Sequence, residues 1–91
     1  MIIPIIKSCN TIKEQWEKVC SELIEVQFEL NGGEKEKQLE ECWDLIFASF
    51  KLIKKLGNED DITKAYKRVI QKIEARKSLG TIEIEEYYEL K

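Results

Sequence analysis

The 91-residue chain contains no histidine, one proline and four glycines. Without histidine it lacks the residue that serine-type triads, cysteine–histidine dyads and most zinc sites require. A di-iron carboxylate bundle is excluded for the same reason, because it needs Glu-x-x-His repeats. The scarcity of helix breakers, with 43% hydrophobic and 36% charged residues, favours a helical globular protein over a disordered one.

The three cysteines, Cys9, Cys20 and Cys42, are widely spaced and include no C-x-x-C pair. An odd number of isolated cysteines argues against a disulfide framework and favours reduced thiols in the cytoplasm. The net charge of −3 gives no reason to expect nucleic acid as a partner. The apolar opening segment 1–6 is too short for a signal peptide or a membrane span, so no membrane partner is expected.

The length allows one small domain, residues 1–91. We expect an extended N-terminal arm over residues 1–10 that packs on the helices or on a partner subunit, and a short C-terminal tail over 81–91. A core of this size stabilises a fold only weakly, so oligomerisation is expected.

Local signals predict three helices. The first follows a capping box, Thr11-x-x-Glu14, and stops at the Asn-Gly-Gly of 31–33; the second runs from about 34 to 56. The third is expected from about 62 to 79, with segment 58–61 supplying N-cap candidates and acidic first-turn residues. In the tail, Thr81 as a cap and the glutamate content favour a fourth, short helix. The prediction is an all-α protein, a small antiparallel bundle of three to four helices completed by oligomerisation.

Each of the first two helices has an apolar stripe when projected at about 100° per residue. We expect these stripes, with their tryptophans, to form the core. Beside the first stripe runs an acidic one, and beyond it lies a second apolar patch of Ile24 and Phe28, so burial is expected on both sides of the acids. The main stripes are Ile12, Trp16, Val19, Leu23, Val26 and Leu30 in the first helix, and Leu39, Trp43, Ile46, Phe50 and Ile53 in the second.

Two carboxylate pairs stand out, Glu22 with Glu25 and Glu41 with Asp44. Spacing of three residues places both members of a pair on one helix face. If the two helices pack antiparallel, four carboxylates converge and could hold a hard cation such as Mg²⁺. On the second helix these acids share their side with aliphatic residues, where unpaired carboxylates are costly, so we expect functional burial.

The third helix places Lys72 and Arg76 at the border of its apolar face. Either they are cations at the edge of a core, near the helix C-terminus, or they form a phosphate clamp. Beside an acidic metal site the clamp is favoured, because a triphosphate requires both metal and cations.

These blocks resemble the MazG-like branch of the all-α nucleoside triphosphate pyrophosphohydrolases, over roughly residues 12–80. That family has a lysine followed by E-E-x-x-E, then E-E-x-x-D, then K-x-x-x-R. The chain reads Lys18 with Glu22-x-x-Glu25, then Glu40-Glu41-x-x-Asp44, then Lys72-x-x-x-Arg76. It departs from the pattern at Ser21, where the family often has the first glutamate.

The resemblance implies a Mg²⁺-dependent enzyme, with Mn²⁺ as an alternative ion, that cleaves a (d)NTP to (d)NMP and pyrophosphate in nucleotide-pool control or house-cleaning. It assigns metal binding to Glu22, Glu25, Glu41 and Asp44, and orientation of the water to Glu22 or Glu25. Lys18, Lys72 and Arg76 would bind phosphate, and Glu40 would support a metal ligand. It also implies a homodimer or homotetramer. Three aromatic residues could stack on the base but are expected in the core: Trp16, Trp43 and Phe47.

Other interpretations remain open at this point. Within the same superfamily the chain could be a phosphoribosyl-ATP pyrophosphohydrolase, although that enzyme usually has a histidine after the second-helix aspartate, or a dUTPase or dCTPase. From another class, it could be a non-catalytic helical interaction or regulatory module.

Overall fold

The computed structural model describes residues 1–7 and 11–90. It contains three helices, α1 (Ile12–Leu30), α2 (Lys35–Leu56) and α3 (Glu59–Ser78), and no strand in the described residues. The all-α prediction is confirmed at this level. The chain divides into two compact units: residues 2–56 form one, and Met1 with the residues from Gly57 onward forms the other.

In the first unit, α1 and α2 form an antiparallel hairpin. Gln15 of α1 donates a hydrogen bond from Nε2 to the carbonyl oxygen of Ala48 in α2, at 3.0 Å. One heptad further along α1 and one heptad back along α2, Glu22 and Glu41 come together. The buried and half-buried residues of the contact follow 3-4 spacing, as in a coiled coil. This seam comprises Gln15, Val19, Glu22, Val26 and Glu29 of α1, and Gln38, Glu41, Leu45, Ala48, Leu52 and Lys55 of α2.

The expectation that the main apolar stripes form the core is wrong for most of their residues in the single chain, although Val26 is buried and Val19 and Phe50 are half-buried. Trp16 and Leu23 are each 55% exposed, and Trp43 is 36% exposed. The second patch of Ile24 and Phe28 is exposed as well. The physical reason is that the hairpin closes along its half-polar seam, which rotates the most apolar side of each helix away from the other helix.

The turn between α1 and α2 fixes this register. Gly33 donates its backbone N–H to the carbonyl oxygen of Glu29 at 2.7 Å, and Gln38 Nε2 donates to the carbonyls of Glu29 and Gly33 at 3.1 Å each. A Cβ on Gly33 would lie 2.7 Å from that same Glu29 oxygen, so the tight approach requires glycine. The short turn therefore holds the two helix faces at one rotation.

The N-terminal arm has no regular secondary structure over residues 1–7. Ile3 is half-buried, whereas Ile2 and Ile6 are strongly exposed. Pro4 and Ile6 line a groove together with α1 and α2. Both residues are exposed, so packing of the arm on the helices or on a partner subunit stays a prediction, and residues 8–10 lie outside the described residues.

In the second unit, α3 begins three residues before the predicted start. Asn58 is its N-cap and forms a capping box with Asp61, and the first turn is acidic, so the predicted roles of segment 58–61 are confirmed. The helix ends as predicted, near Gly80, whose φ is +75°.

The predicted helix in the tail is wrong, because residues 82–90 form neither helix nor strand. Thr81, which was expected to cap that helix, instead closes α3. Its backbone N–H and its hydroxyl both donate to the carbonyl oxygen of Arg76, each at 3.0 Å. Tyr87 donates from its hydroxyl to Glu74 Oε1 at 3.4 Å, which links the tail to α3.

None of the helices in the described part of the chain combines the length and apolar character that crossing a membrane requires.

Candidate metal site

Two glutamates lie inside the hairpin seam. Glu22 is 6% exposed and Glu41 is 7% exposed, which makes them as buried as the apolar seam residues Val26 and Ala48. Burying an ionised carboxylate costs several kcal/mol unless it is paired and hydrogen-bonded. The predicted burial is therefore confirmed for Glu41 and is wrong for Asp44, which is exposed. The buried charges of Glu22 and Glu41 call for a compensating partner.

Only half of each carboxylate has such a partner among the described residues. Lys18 Nζ lies 2.8 Å from Glu22 Oε1, and Lys37 Nζ lies 3.0 Å from Glu41 Oε1. The second oxygen, Oε2, is buried in both glutamates and receives no hydrogen bond from any residue that the structure describes. Leaving a buried acceptor unsatisfied costs about 1–3 kcal/mol, and more when it is charged.

Lys37 was not identified as a site residue from the sequence. It lies four residues before Glu41, as Lys18 lies four residues before Glu22, and the repeat of this spacing on both helices was the available signal. Ion pairing with Glu22 raises the pKa of Lys18, and ion pairing with Glu41 raises the pKa of Lys37. Both lysines therefore remain charged well above neutral pH.

Asp44, which is exposed, is the third acid that lies close to Glu22 and Glu41. One carboxylate oxygen from each of Glu22, Glu41 and Asp44 lies within 4.8 Å of the others. Glu40, the predicted support for a metal ligand, is exposed, and its Oε2 lies 4.0 Å from Lys37 Nζ. Lys37 thus lies near both Glu40 and Glu41, as expected if Glu40 supports Glu41 without contacting the ion itself.

Glu25, the fourth predicted ligand, is exposed and lies outside this three-residue group. A hydrogen bond shared with Glu22, together with the negative charges of Glu22 and Glu41, raises the pKa of Glu25. Burial alone would raise the pKa of Glu22, but the hydrogen bonds with Lys18 and Glu25 lower it. Two ionised carboxylates can only accept hydrogen bonds, so a proton on Glu25 or a nearby cation is needed to relieve this contact.

The raised pKa of Glu25 leads to a stability prediction. An acid whose pKa is raised on folding destabilises the folded state when ionised, so Glu25→Gln should raise the melting temperature of the metal-free chain near pH 7. The gain should disappear as the pH falls through the pKa of folded Glu25 towards the unfolded value of 4.5. Thermal unfolding in a chelating buffer at both ends of this range is the measurement.

Glu17→Gln is the matched control, because Glu17 is another exposed acid on α1. It should change the free energy of unfolding by no more than about 0.5 kcal/mol, as surface substitutions usually do, and so leave the melting temperature almost unchanged. A lower melting temperature for Glu25→Gln near pH 7 would contradict the inferred repulsion.

The donor set fits a hard divalent cation. Mg²⁺ takes oxygen ligands at about 2.0–2.1 Å, so two ligands of one ion lie at most about 4.2 Å apart. The observed 4.8 Å limit for the three oxygens is close to this, and a small side-chain rotation closes the difference. The carboxylates also outnumber the lysines that pair with them, which leaves negative charge for a cation to balance: Glu22, Glu25, Glu41 and Asp44 lie beside Lys18 and Lys37.

A groove of about 400 Å³ adjoins the acids within residues 2–56. One part of its wall is apolar, formed by the arm, Phe47 and Ala48, and another carries charged groups. The rings of Trp43 and Phe47 are tilted by 44° to each other, with centroids 5.8 Å apart. The lining residues are Pro4, Ile6, Gln15, Lys18, Glu22, Asp44, Phe47, Ala48 and Lys51.

The two predicted clamp residues, Lys72 and Arg76, lie on α3 in the other compact unit. Both are exposed, and the last turn of α3 is basic. Their role in binding phosphate stays a prediction.

The geometry therefore brings together the acids of α1 and α2 with Lys18 and adds Lys37. No protein-family model, curated protein or solved structure matches the chain, so the case for its function rests on these residues alone.

Proposed function

We propose that this protein is a Mg²⁺-dependent nucleoside triphosphate pyrophosphohydrolase of the MazG-like type, converting a (d)NTP to a (d)NMP and pyrophosphate. The observation that carries the proposal is the pair of buried, unsatisfied Oε2 atoms of Glu22 and Glu41 beside Asp44. Two such atoms in a helix seam lower the stability of the fold. Binding of a cation would offset this cost, and it is the simplest function that explains why the atoms are there.

Glu22, Glu41 and Asp44 would hold the ion, with Glu25 joining them from the exposed edge. A bound Mg²⁺ or Mn²⁺ would neutralise phosphate oxygens and make a coordinated water more acidic. Lys18 would bind part of the remaining phosphate charge, and the resemblance to the MazG-like pattern assigns the same role to Lys72 and Arg76. Glu40 would act through Lys37, which it shares with Glu41.

In the proposed reaction, a water molecule adds to the α-phosphorus and the bond to the oxygen bridging the α and β phosphates breaks. The proton of the water passes to a carboxylate, and pyrophosphate leaves. Glu25 suits this role better than Glu22, because its pKa is raised and Glu22 is already paired with Lys18.

The groove offers room for the rest of the substrate. Its apolar wall, including Phe47, meets the acids at Glu22 and Asp44. A nucleotide whose phosphates lie at the acids could place its base or sugar against this wall. Lys51 in the lining adds positive charge on that side.

We also propose that the active form is a homodimer or homotetramer. The apolar stripes of α1 and α2, including Trp16, Leu23 and Ile46, are exposed in the single chain. Large apolar side chains exposed side by side along a helix are typical of an interaction surface. The free thiols of Cys20 and Cys42 agree with the proposed cytoplasmic location, although they do not establish it.

The test of the activity is a panel of canonical and modified (d)NTPs, incubated with the purified protein and Mg²⁺ or Mn²⁺, with pyrophosphate release as the readout. We expect at least one nucleotide to give pyrophosphate and the monophosphate in equal amounts, and chelation to abolish the reaction. Release of orthophosphate alone, or no metal-dependent release across the panel, would contradict the proposal.

The exposed stripes also support a second candidate, a non-catalytic helical interaction module in which the lysines merely neutralise the acids. Thermal melting with Mg²⁺ and a non-hydrolysable nucleotide distinguishes the two. A ligand that binds the folded state raises the melting temperature, whereas a scaffold without the site would not respond.

A further inference from the structure

The seam contains the same ion pair twice. On each helix a lysine stands one turn before a buried glutamate and bonds its Oε1, at 2.8 Å for Lys18 with Glu22 and at 3.0 Å for Lys37 with Glu41. Both lysines are half exposed, at 53% of their side-chain surface. Because α1 and α2 run antiparallel, the two lysines approach the buried glutamates from opposite ends.

This arrangement leaves one side of each glutamate for a second cation. The lysines occupy the Oε1 atoms, and the Oε2 atoms remain buried without a donor in the part of the chain that the structure describes. Two carboxylates this close in a poorly solvated seam repel each other strongly unless positive charge is nearby. A lysine on one oxygen supplies part of that charge without filling the space at the other.

We infer that Lys18 and Lys37 are built-in counter-ions that keep the hairpin folded without metal, hold Glu22 and Glu41 in position and limit how tightly the site binds a divalent cation. The inference rests on the proposed metal site and concerns its regulation. The lysines and the ion neutralise the same two carboxylates. When a lysine is removed, more of the carboxylate charge is therefore left for the ion to neutralise.

Lys37 is the residue on which to test this, because Lys18 is also a proposed phosphate contact. Replacing it, as Lys37→Met, keeps much of the aliphatic stem and removes the charge. Without metal, Glu41 is then buried without a cation partner among the described residues. The melting temperature should fall by at least about 5 °C relative to the wild type.

The same substitution should strengthen metal binding. With one positive charge removed from beside Glu41, the dissociation constant for Mg²⁺ should fall about tenfold, and the rise in melting temperature on adding Mg²⁺ should exceed that of the wild type. A structural role for Lys37 that is unconnected with the metal would lower both melting curves equally. Lys37→Arg, which retains the charge, should return both measurements to the wild-type values.

Lys64→Met is the matched control. Lys64 pairs with Asp60 at 2.8 Å and four-residue spacing, but both side chains are exposed. Its loss should change the metal-free melting temperature by less than about 2 °C and should leave the response to Mg²⁺ unchanged.

The experiment is thermal unfolding of the wild type and the three variants in chelator and over a Mg²⁺ titration, followed by circular dichroism. If Lys37→Met is unfolded in chelator, recovery of helix on adding Mg²⁺ supports the inference, and failure to recover overturns it. A wild-type response to Mg²⁺ with an equal response in Lys37→Met overturns the inference alone. No response in the wild type overturns the metal site itself.

Discussion

Glu41→Gln and Asp44→Asn should each reduce Mg²⁺-dependent pyrophosphate release at least about a hundredfold while retaining the helical fold. Both substitutions keep the shape of the side chain and remove the charge that would hold the ion, so a metal-dependent reaction loses its support. The two residues also differ in a useful way: Glu41 is buried in the seam, whereas Asp44 is exposed. A shared loss of activity therefore cannot be attributed to burial.

The measurement is the steady-state rate with the best nucleotide of the panel, with circular dichroism as the check on folding. Glu36→Gln is the control, because Glu36 is an exposed acid in the first turn of the same helix and lies outside the acid group. It should retain the wild-type rate. Full activity in both Glu41→Gln and Asp44→Asn would refute the assignment of these acids as ligands.

Leu23→Glu and Ile46→Glu should each convert the assembled protein to monomers. Both side chains are about half exposed, one on each helix, in the apolar stripes that the hairpin does not cover. If a second copy covers them, a new carboxylate becomes buried without a partner, at a cost of about 3 kcal/mol or more. That weakens association by at least about a hundredfold.

Sedimentation velocity across a range of concentrations is the measurement. The wild type should sediment as a dimer or tetramer, and its melting temperature should rise with concentration. Gln27→Glu adds the same charge at an exposed polar position of α1 and should leave assembly unchanged. A wild type that is monomeric at every concentration would contradict the proposed oligomer and leave the stripes to a different partner.

Much of the fold could be predicted from local sequence signals. The capping box of Thr11 and Glu14 forms as expected and starts α1, and the Asn-Gly-Gly turn ends it. These signals act through backbone hydrogen bonds between residues close in sequence, so no knowledge of the tertiary fold is needed. The start of α3 was placed too late because Asn58 and Asp61 form a box whose last member is an aspartate rather than the usual glutamate.

The rotation of the helices about their axes could not be predicted in the same way. A hydrophobic projection selects the most apolar stripe, which includes Trp16 and Trp43, and implicitly assumes that this stripe meets the neighbouring helix. In this chain the short turn and the side chains of Gln15 and Gln38 fix a different contact. Which of two faces a hairpin buries depends on what covers the other face, and a single sequence does not state that.

The sequence therefore predicted which acids of the candidate site lie together better than it predicted their ion pairs. Helical spacing correctly brought Glu22, Glu41 and Asp44 together, because these acids lie on facing sides of an antiparallel pair. It missed Lys37, since a lysine one turn from a glutamate is usually a solvated surface pair. The burial of Glu41 separates this ion pair from the exposed pair of Lys64 and Asp60.

The central claim is that Glu22, Glu41 and Asp44 bind one divalent cation. The most direct measurement is an anomalous difference map from crystals of the protein grown with Mn²⁺. We predict one peak between α1 and α2, within about 2.0–2.4 Å of an oxygen from each of the three carboxylates. A map with no peak there, in crystals where Lys18 and Lys37 still pair with Glu22 and Glu41, would contradict the claim.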